Sequence, residues 1–99
     1  MGMMANFPEQ FAARAERRFW FARADAEQLL DWLEDNGERF VGMEVAQKQP
    51  DGTWLLLDDS LDLARQTDNF EAVRRGKDFL REYDGDGRMF EPLWQGRMA

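Results

Sequence analysis

Ninety-nine residues with 20 acidic against 13 basic side chains, 43% of them apolar, describe one small domain of net charge −7. That acidity argues against direct nucleic-acid binding, and the absence of Cys and His excludes disulfides, thiolate or imidazole metal ligation, and catalysis built on either side chain. No apolar run approaches the roughly 20 residues of a membrane span, and the opening MGMMANFPEQ lacks the basic-then-apolar order of a signal peptide, so a soluble cytoplasmic protein with no membrane partner is expected.

In chain order, Asn6-Phe7-Pro8-Glu9 has the form of a helix start, with Asn6 as cap, Pro8 in the first turn and Glu9 three residues after the cap. A helix over residues 7–16 follows, so residues 1–17 read as a helical extension of a single domain over 18–99. The next stretch, 18–23, holds three adjacent aromatics, Phe19, Trp20 and Phe21, which favour a strand. Phe11, Ala15, Phe19, Ala22, Ala26, Leu29 and Leu33 also fit one long helix. The strand is the preferred reading, because Asp25-Ala26-Glu27-Gln28 looks like a new capping box that a continuous helix would not need.

Residues 25–35 predict a helix, stopped by Asn36-Gly37. Ala26, Leu29, Leu30 and Leu33 fall on one face at about 100° per residue, and Glu27, Asp31, Glu34, Asp35 and Glu38 fall on another. From Asp25 to Glu38 there are six carboxylates and no base. Residues 40–49 then alternate, with Val41, Met43 and Val45 on one side and Glu44, Ala46 and Lys48 on the other. Pro50-Asp51-Gly52 is a turn, and 54–57 return as the second arm of a β-hairpin. Residues 58–68 read as an acidic loop. A second helix is expected over 69–83, with Val73, Gly76, Phe79, Leu80 and Tyr83 on its inner face. Asp84-Gly85-Asp86-Gly87 ends it, and 88–91 form a last strand that Pro92 confines to an edge.

The resulting order, β-α-β-β-α-β, is that of a ferredoxin-like α+β fold with an antiparallel sheet and an extra N-terminal helix. In that arrangement the first and third strands are central, and these are the two unbroken apolar runs, 19–22 and 54–57.

The stretch DAEQLLDWLEDNG, the turn Asp51-Gly52-Thr53-Trp54 and the helix ending Tyr83-Asp84-Gly85 resemble the regulator of ribonuclease E activity B family over about residues 18–91. The resemblance implies a ferredoxin-like fold and a non-catalytic inhibitor that binds an RNA-processing enzyme, with Tyr83, Asp84 and Gly85 as the family-motif residues.

The residues themselves point to binding. A charge run is ordinarily a solvated face, but Glu27/Asp31, Asp31/Asp35 and Glu34/Glu38 are like-charged at a spacing that costs a helix a few tenths of a kcal/mol per pair. Three of these acids also sit at the end of the helix that its dipole disfavours. The five stripe carboxylates span roughly 16 Å, a charge density near that of one DNA strand, so phosphate mimicry is geometrically open. Trp20 and Trp54 are core residues on the plain reading; on the open face of a one-sided sheet they would mark a protein interface or a dimer seam.

Asp58, Asp59 and Asp62 could offer oxygens to a hard cation, as could Asp84 and Asp86, but neither set has a Ca²⁺-loop spacing; both read as turns or caps. No metal, cofactor or catalytic residue is therefore expected. The partner-binding residues are Glu27, Asp31, Glu34, Asp35, Glu38, Trp20 and Trp54. The partner is expected to be a basic protein, a nuclease or another nucleic-acid-binding protein, met by a monomer or homodimer. A phage or mobile-element defence inhibitor that mimics nucleic acid, such as an anti-CRISPR, and an immunity-type or self-associating module are the alternatives.

Overall fold

A computed structural model describes residues 9–17 and 19–98. The proposed start at Asn6, Phe7 and Pro8 lies outside these residues. A two-turn helix α1 (Glu9–Arg14) leads to α2 (Arg23–Asp35), the hairpin β1 (Phe40–Lys48) and β2 (Trp54–Asp62), the helix α3 (Asn69–Glu82), the strand β3 (Arg88–Trp94) and a single turn α4 (Gln95–Met98). The fold is α+β, with a three-stranded antiparallel sheet in the order β2-β1-β3.

That order departs from the expected four-stranded sheet in two ways. First, residues 19–22 form neither a full strand nor the continuation of a helix. Arg17 and Phe19 take left-handed φ values of 52° and 55°, and Glu16 N–H donates to the Trp20 carbonyl at 2.8 Å. The chain therefore reverses here at two residues that carry a steric cost in that region. What is left of the first strand is one bridge, in which Phe21 and Phe90 exchange both backbone hydrogen bonds at 2.8 Å. Second, the central strand is the alternating one, β1, and the apolar run 54–57 lies on the outer strand β2. Leu55 and Leu56 are 54% and 61% exposed.

The hairpin forms where expected. Ala46 pairs with Leu56, Gln47 with Leu55 and Lys48 with Trp54. Gly52 supplies φ 89° in the turn, and Asp51 Oδ1 accepts from both Thr53 N–H and the Thr53 hydroxyl. β2 runs on through the segment read as an acidic loop, to Asp62. Pairing shifts between Ala46↔Leu56 and Glu44↔Ser60, so β2 carries two extra residues there and bends. On the other side of β1, Val45 pairs with Phe90 and Glu44 with Glu91. Pro92 lies in β3, an outer strand, where a missing N–H is tolerated.

One sheet face is packed by α2 and α3. Phe21, Ala26, Leu29, Leu30, Leu33, Phe40, Met43, Val45, Leu80 and Phe90 are all buried to 1% exposure or less. The four apolar positions expected on α2 are thus the ones that hold it down. α2 begins at Arg23, two residues before the expected capping box, and its N-cap Ala22 makes no side-chain cap. It ends as expected: Gly37 has φ 67° and Asn36 Nδ2 donates to the Trp32 carbonyl.

α3 is capped by Asp68, whose carboxylate accepts from Phe70 and Glu71 N–H. Asn69 pins the helix start to the sheet: its Oδ1 accepts from Phe40 N–H and its Nδ2 donates to the Glu38 carbonyl, both at 2.9 Å. Gly76 lets α3 approach β1. A Cβ built there would lie 2.6 Å from the Phe40 ring and 3.0 Å from Leu30 Cδ1.

Candidate functional site

The acidic helix presents four of the five expected carboxylates. Glu27, Asp31, Glu34 and Asp35 lie on α2, whereas Glu38 falls beyond the helix end, after Gly37, with its N–H donating to the Leu33 carbonyl. Glu38 is therefore not part of a continuous helical stripe. The remaining four span about 12 Å at 1.5 Å per residue.

The stripe is not uniformly bare. Arg14 reaches Asp25 at 3.3 Å and donates to Gln28 at 2.7 Å. Arg23 lies 3.9 Å from Glu27 and 3.5 Å from Asp84. Lys77 of α3 pairs with Asp31. Its hydrogen bond to Asp31 holds the ammonium above the ordinary lysine value, and the charges of Asp31, Glu27 and Glu34 add to this against the cost of partial burial. Bases thus meet the N-terminal half of the acidic face. Glu34 and Asp35, in the last turn, have no ion pair among the described residues. Glu34 also lines a groove of about 150 Å³ with Phe70, Val73, Arg74 and Lys77, and Phe70 is 65% exposed.

Trp20 and Trp54 do lie on the sheet face away from the helices. Lys48 and Trp54 are cross-strand neighbours, hence on one face, and Lys48 is three residues from Val45, hence opposite the core. The indoles meet edge-on at 5.7 Å, with an interplanar angle of 71°. The Arg17 guanidinium sits 4.4 Å over the Trp54 ring, and Lys48 Nζ bonds Glu16 at 2.7 Å. The aromatic pair is therefore partly covered by Arg17, and both rings are half-buried.

The same face carries Glu44 opposite Glu91 across β1 and β3. Partial burial, and then repulsion by Glu91, raise the Glu44 carboxyl above its ordinary value. Sequence reading placed Glu44 on the polar side of its strand but could not supply its neighbour.

The family-motif residues have plain structural work. Tyr83 caps α3 and packs tilted against Phe79 at 4.7 Å; partial desolvation, and then the hydrogen bond its hydroxyl donates to Asp59, raise its pKa. Asp84 pairs with Arg23, and Gly85 O accepts from Arg88 N–H at 3.1 Å in the turn before β3. Asp62 Oδ1 accepts from Ala64 N–H, and Asp86 O accepts from Gln47. Among the described residues no three carboxylates converge closely enough to hold a metal ion, and no helix is long and apolar enough to cross a membrane.

Sequence reading missed the bases that meet the stripe. Arg23 and Glu27 stand four apart on one helix, so that pair was legible. Lys77 is 46 residues from Asp31, and nothing local links them. Compared with known proteins, the chain matches no family model, no curated protein and no solved structure.

Proposed function

We propose that this chain is a small acidic, non-catalytic regulator that binds a basic surface of a cytoplasmic nucleic-acid-processing protein, of the ribonuclease E type that the family resemblance implies. The observation carrying this reading is the unequal neutralisation of α2. Its N-terminal acids are met by Arg14, Arg23 and Lys77, whereas Glu34 and Asp35 make no ion pair among the described residues, and Glu34 lines a groove with the exposed Phe70 ring. Two carboxylates in the last turn, one of them on a groove with an exposed aromatic, suit a partner that presents lysines or arginines around an apolar spot. Under the same reading the fold is a ferredoxin-like relative whose first strand has shortened to the Phe21–Phe90 bridge. The hairpin and that bridge support the relation, while the pairing of β1 with β3 departs from it.

The test is Glu34→Gln with Asp35→Asn, compared with the wild-type chain in a binding assay against purified ribonuclease E at low and moderate salt. Loss of several-fold in affinity, shrinking as salt rises, is expected. Equal binding by both chains, or no binding by either, would overturn the reading. Competition by nucleic acid for the same partner surface would support the defence-inhibitor version, in which the acids stand in for phosphates.

A second reading rests on the open sheet face. The Trp20–Trp54 pair beside the exposed Leu56 suits self-association. It requires a salt-insensitive dimer in sedimentation that is lost in Trp20→Ala; a monomer at high protein concentration rejects it.

A further inference from the structure

The two edges of the sheet are treated differently by the chain. Along β3, the Phe21 segment sits beside the strand and takes both backbone hydrogen bonds at Phe90. Along β2, no strand lies outside among the described residues. Residues 54–56 nevertheless keep regular pairing with 46–48, so their outward N–H and C=O groups are aligned as a template for one more strand. Leu55 and Leu56 flank that template on opposite faces, both more than half exposed.

Further along, β2 carries Asp58 and Asp59, with the two extra residues of the register shift between Leu56 and Ser60. These features bar one occupant and favour another. A second copy paired antiparallel and centred on this nine-residue strand would set Asp58 against Asp58, and like charges directly opposed destabilise a ladder. An extended alternating segment, with its apolar side chains on the face of Leu55 and its lysines or arginines on the other face, toward Asp58, meets no such repulsion.

We infer that the free edge of β2 is a strand-addition site for a basic, extended segment of a partner protein. The site does not depend on the acidic face of α2. It gives the chain a second way to hold a cationic partner, through backbone hydrogen bonds rather than charge alone.

The probe is a blocked eight-residue peptide of alternating lysine and valine, titrated into the full-length chain. Amide shifts and hydrogen exchange are followed by NMR. A control peptide of the same charge has two central valines replaced by proline, which removes ladder donors. The alternating peptide is expected to shift residues 54–60 and to slow exchange of the outward β2 amides. The proline peptide should leave that exchange unchanged. Asp58→Lys is expected to weaken the alternating peptide about fivefold, the size of one surface charge contact. Equal binding of the two peptides, shifts confined to Glu34 and Asp35, or a salt-resistant dimer joined through β2 would each overturn the proposal.

Discussion

The two arms of the hairpin are equal in length, nine residues each, and opposite in fate. β1 mixes Glu44, Gln47 and Lys48 with its apolar residues, yet it is the central strand, with Phe40, Met43 and Val45 wholly buried. β2 begins with Trp-Leu-Leu-Leu and lies at the rim with two leucines mostly in solvent. A strand's place in a sheet follows from which neighbours flank it, and an apolar run alone does not supply neighbours. Here β3 pairs with β1, leaving β2 with one neighbour among the described residues.

The comparison is broken most sharply by emptying the centre. Phe40 fills the space between β1 and α3, next to Leu30 and Gly76. Phe40→Ala is expected to cost about 3–5 kcal/mol, a large share of the roughly 5–15 kcal/mol that holds a typical domain. Urea unfolding should show a much lower midpoint. A midpoint within experimental error of wild type would mean that α3 does not rest on β1.

Overfilling the same contact should do less. Gly76→Ala places a methyl 2.6 Å from the Phe40 ring. Overpacking typically costs about 1–3 kcal/mol, offset by up to about 1 kcal/mol of helix propensity. A net loss of about 1–2 kcal/mol is expected in thermal unfolding. A stabilised variant would show that the ring can move aside.

These contacts also mark what the sequence made legible. The inner face of α2, the α3 face through Val73, Gly76, Phe79 and Leu80, the Pro50-Asp51-Gly52 turn and the Asn36-Gly37 stop are periodic or local signals, and each lies where its pattern placed it. What failed depended on distant neighbours. The aromatics at 19–21 have strand propensity, but the reversal at Arg17 and Phe19 turns them into caps on other residues: Phe19 packs on Trp94 and Trp20 on Trp54. Of the candidate site, the carboxylates were readable as a list. Apart from the Arg23–Glu27 pair on one helix, which of them meet a base was not, because Lys77 and Arg14 approach α2 from other elements.

Charge on the central strand gives a smaller and pH-dependent test. Glu44 opposes Glu91, and its carboxyl is raised above the ordinary 4.5 by burial and then by that neighbour. A carboxyl raised in the folded state makes the ionised form costly to folding. The cost is fully present above the folded pKa and disappears as pH falls below 4.5. Glu44→Gln should therefore stabilise the chain at pH 7 by about 0.2–1 kcal/mol, the range of a cross-strand pair. The advantage should fade on acidification. A stability gap that stays constant from pH 7 to pH 4 would show that Glu44 is not held in its raised state by this face.

The smallest effect belongs to the rim. Leu56 is 61% exposed on β2, so Leu56→Lys removes little buried surface and should change stability by no more than about 0.5 kcal/mol. A melting temperature unchanged within that range, set beside the collapse of Phe40→Ala, is what the hairpin asymmetry requires. The same substitution puts a cation on the edge that is inferred to receive a basic strand, so it should weaken the alternating lysine–valine peptide while leaving the fold intact. Retention of peptide binding in a stable Leu56→Lys chain would place the contact elsewhere on the sheet. A large loss of stability would instead mean that the rim of β2 is packed in solution, and the contrast between the two arms would not hold.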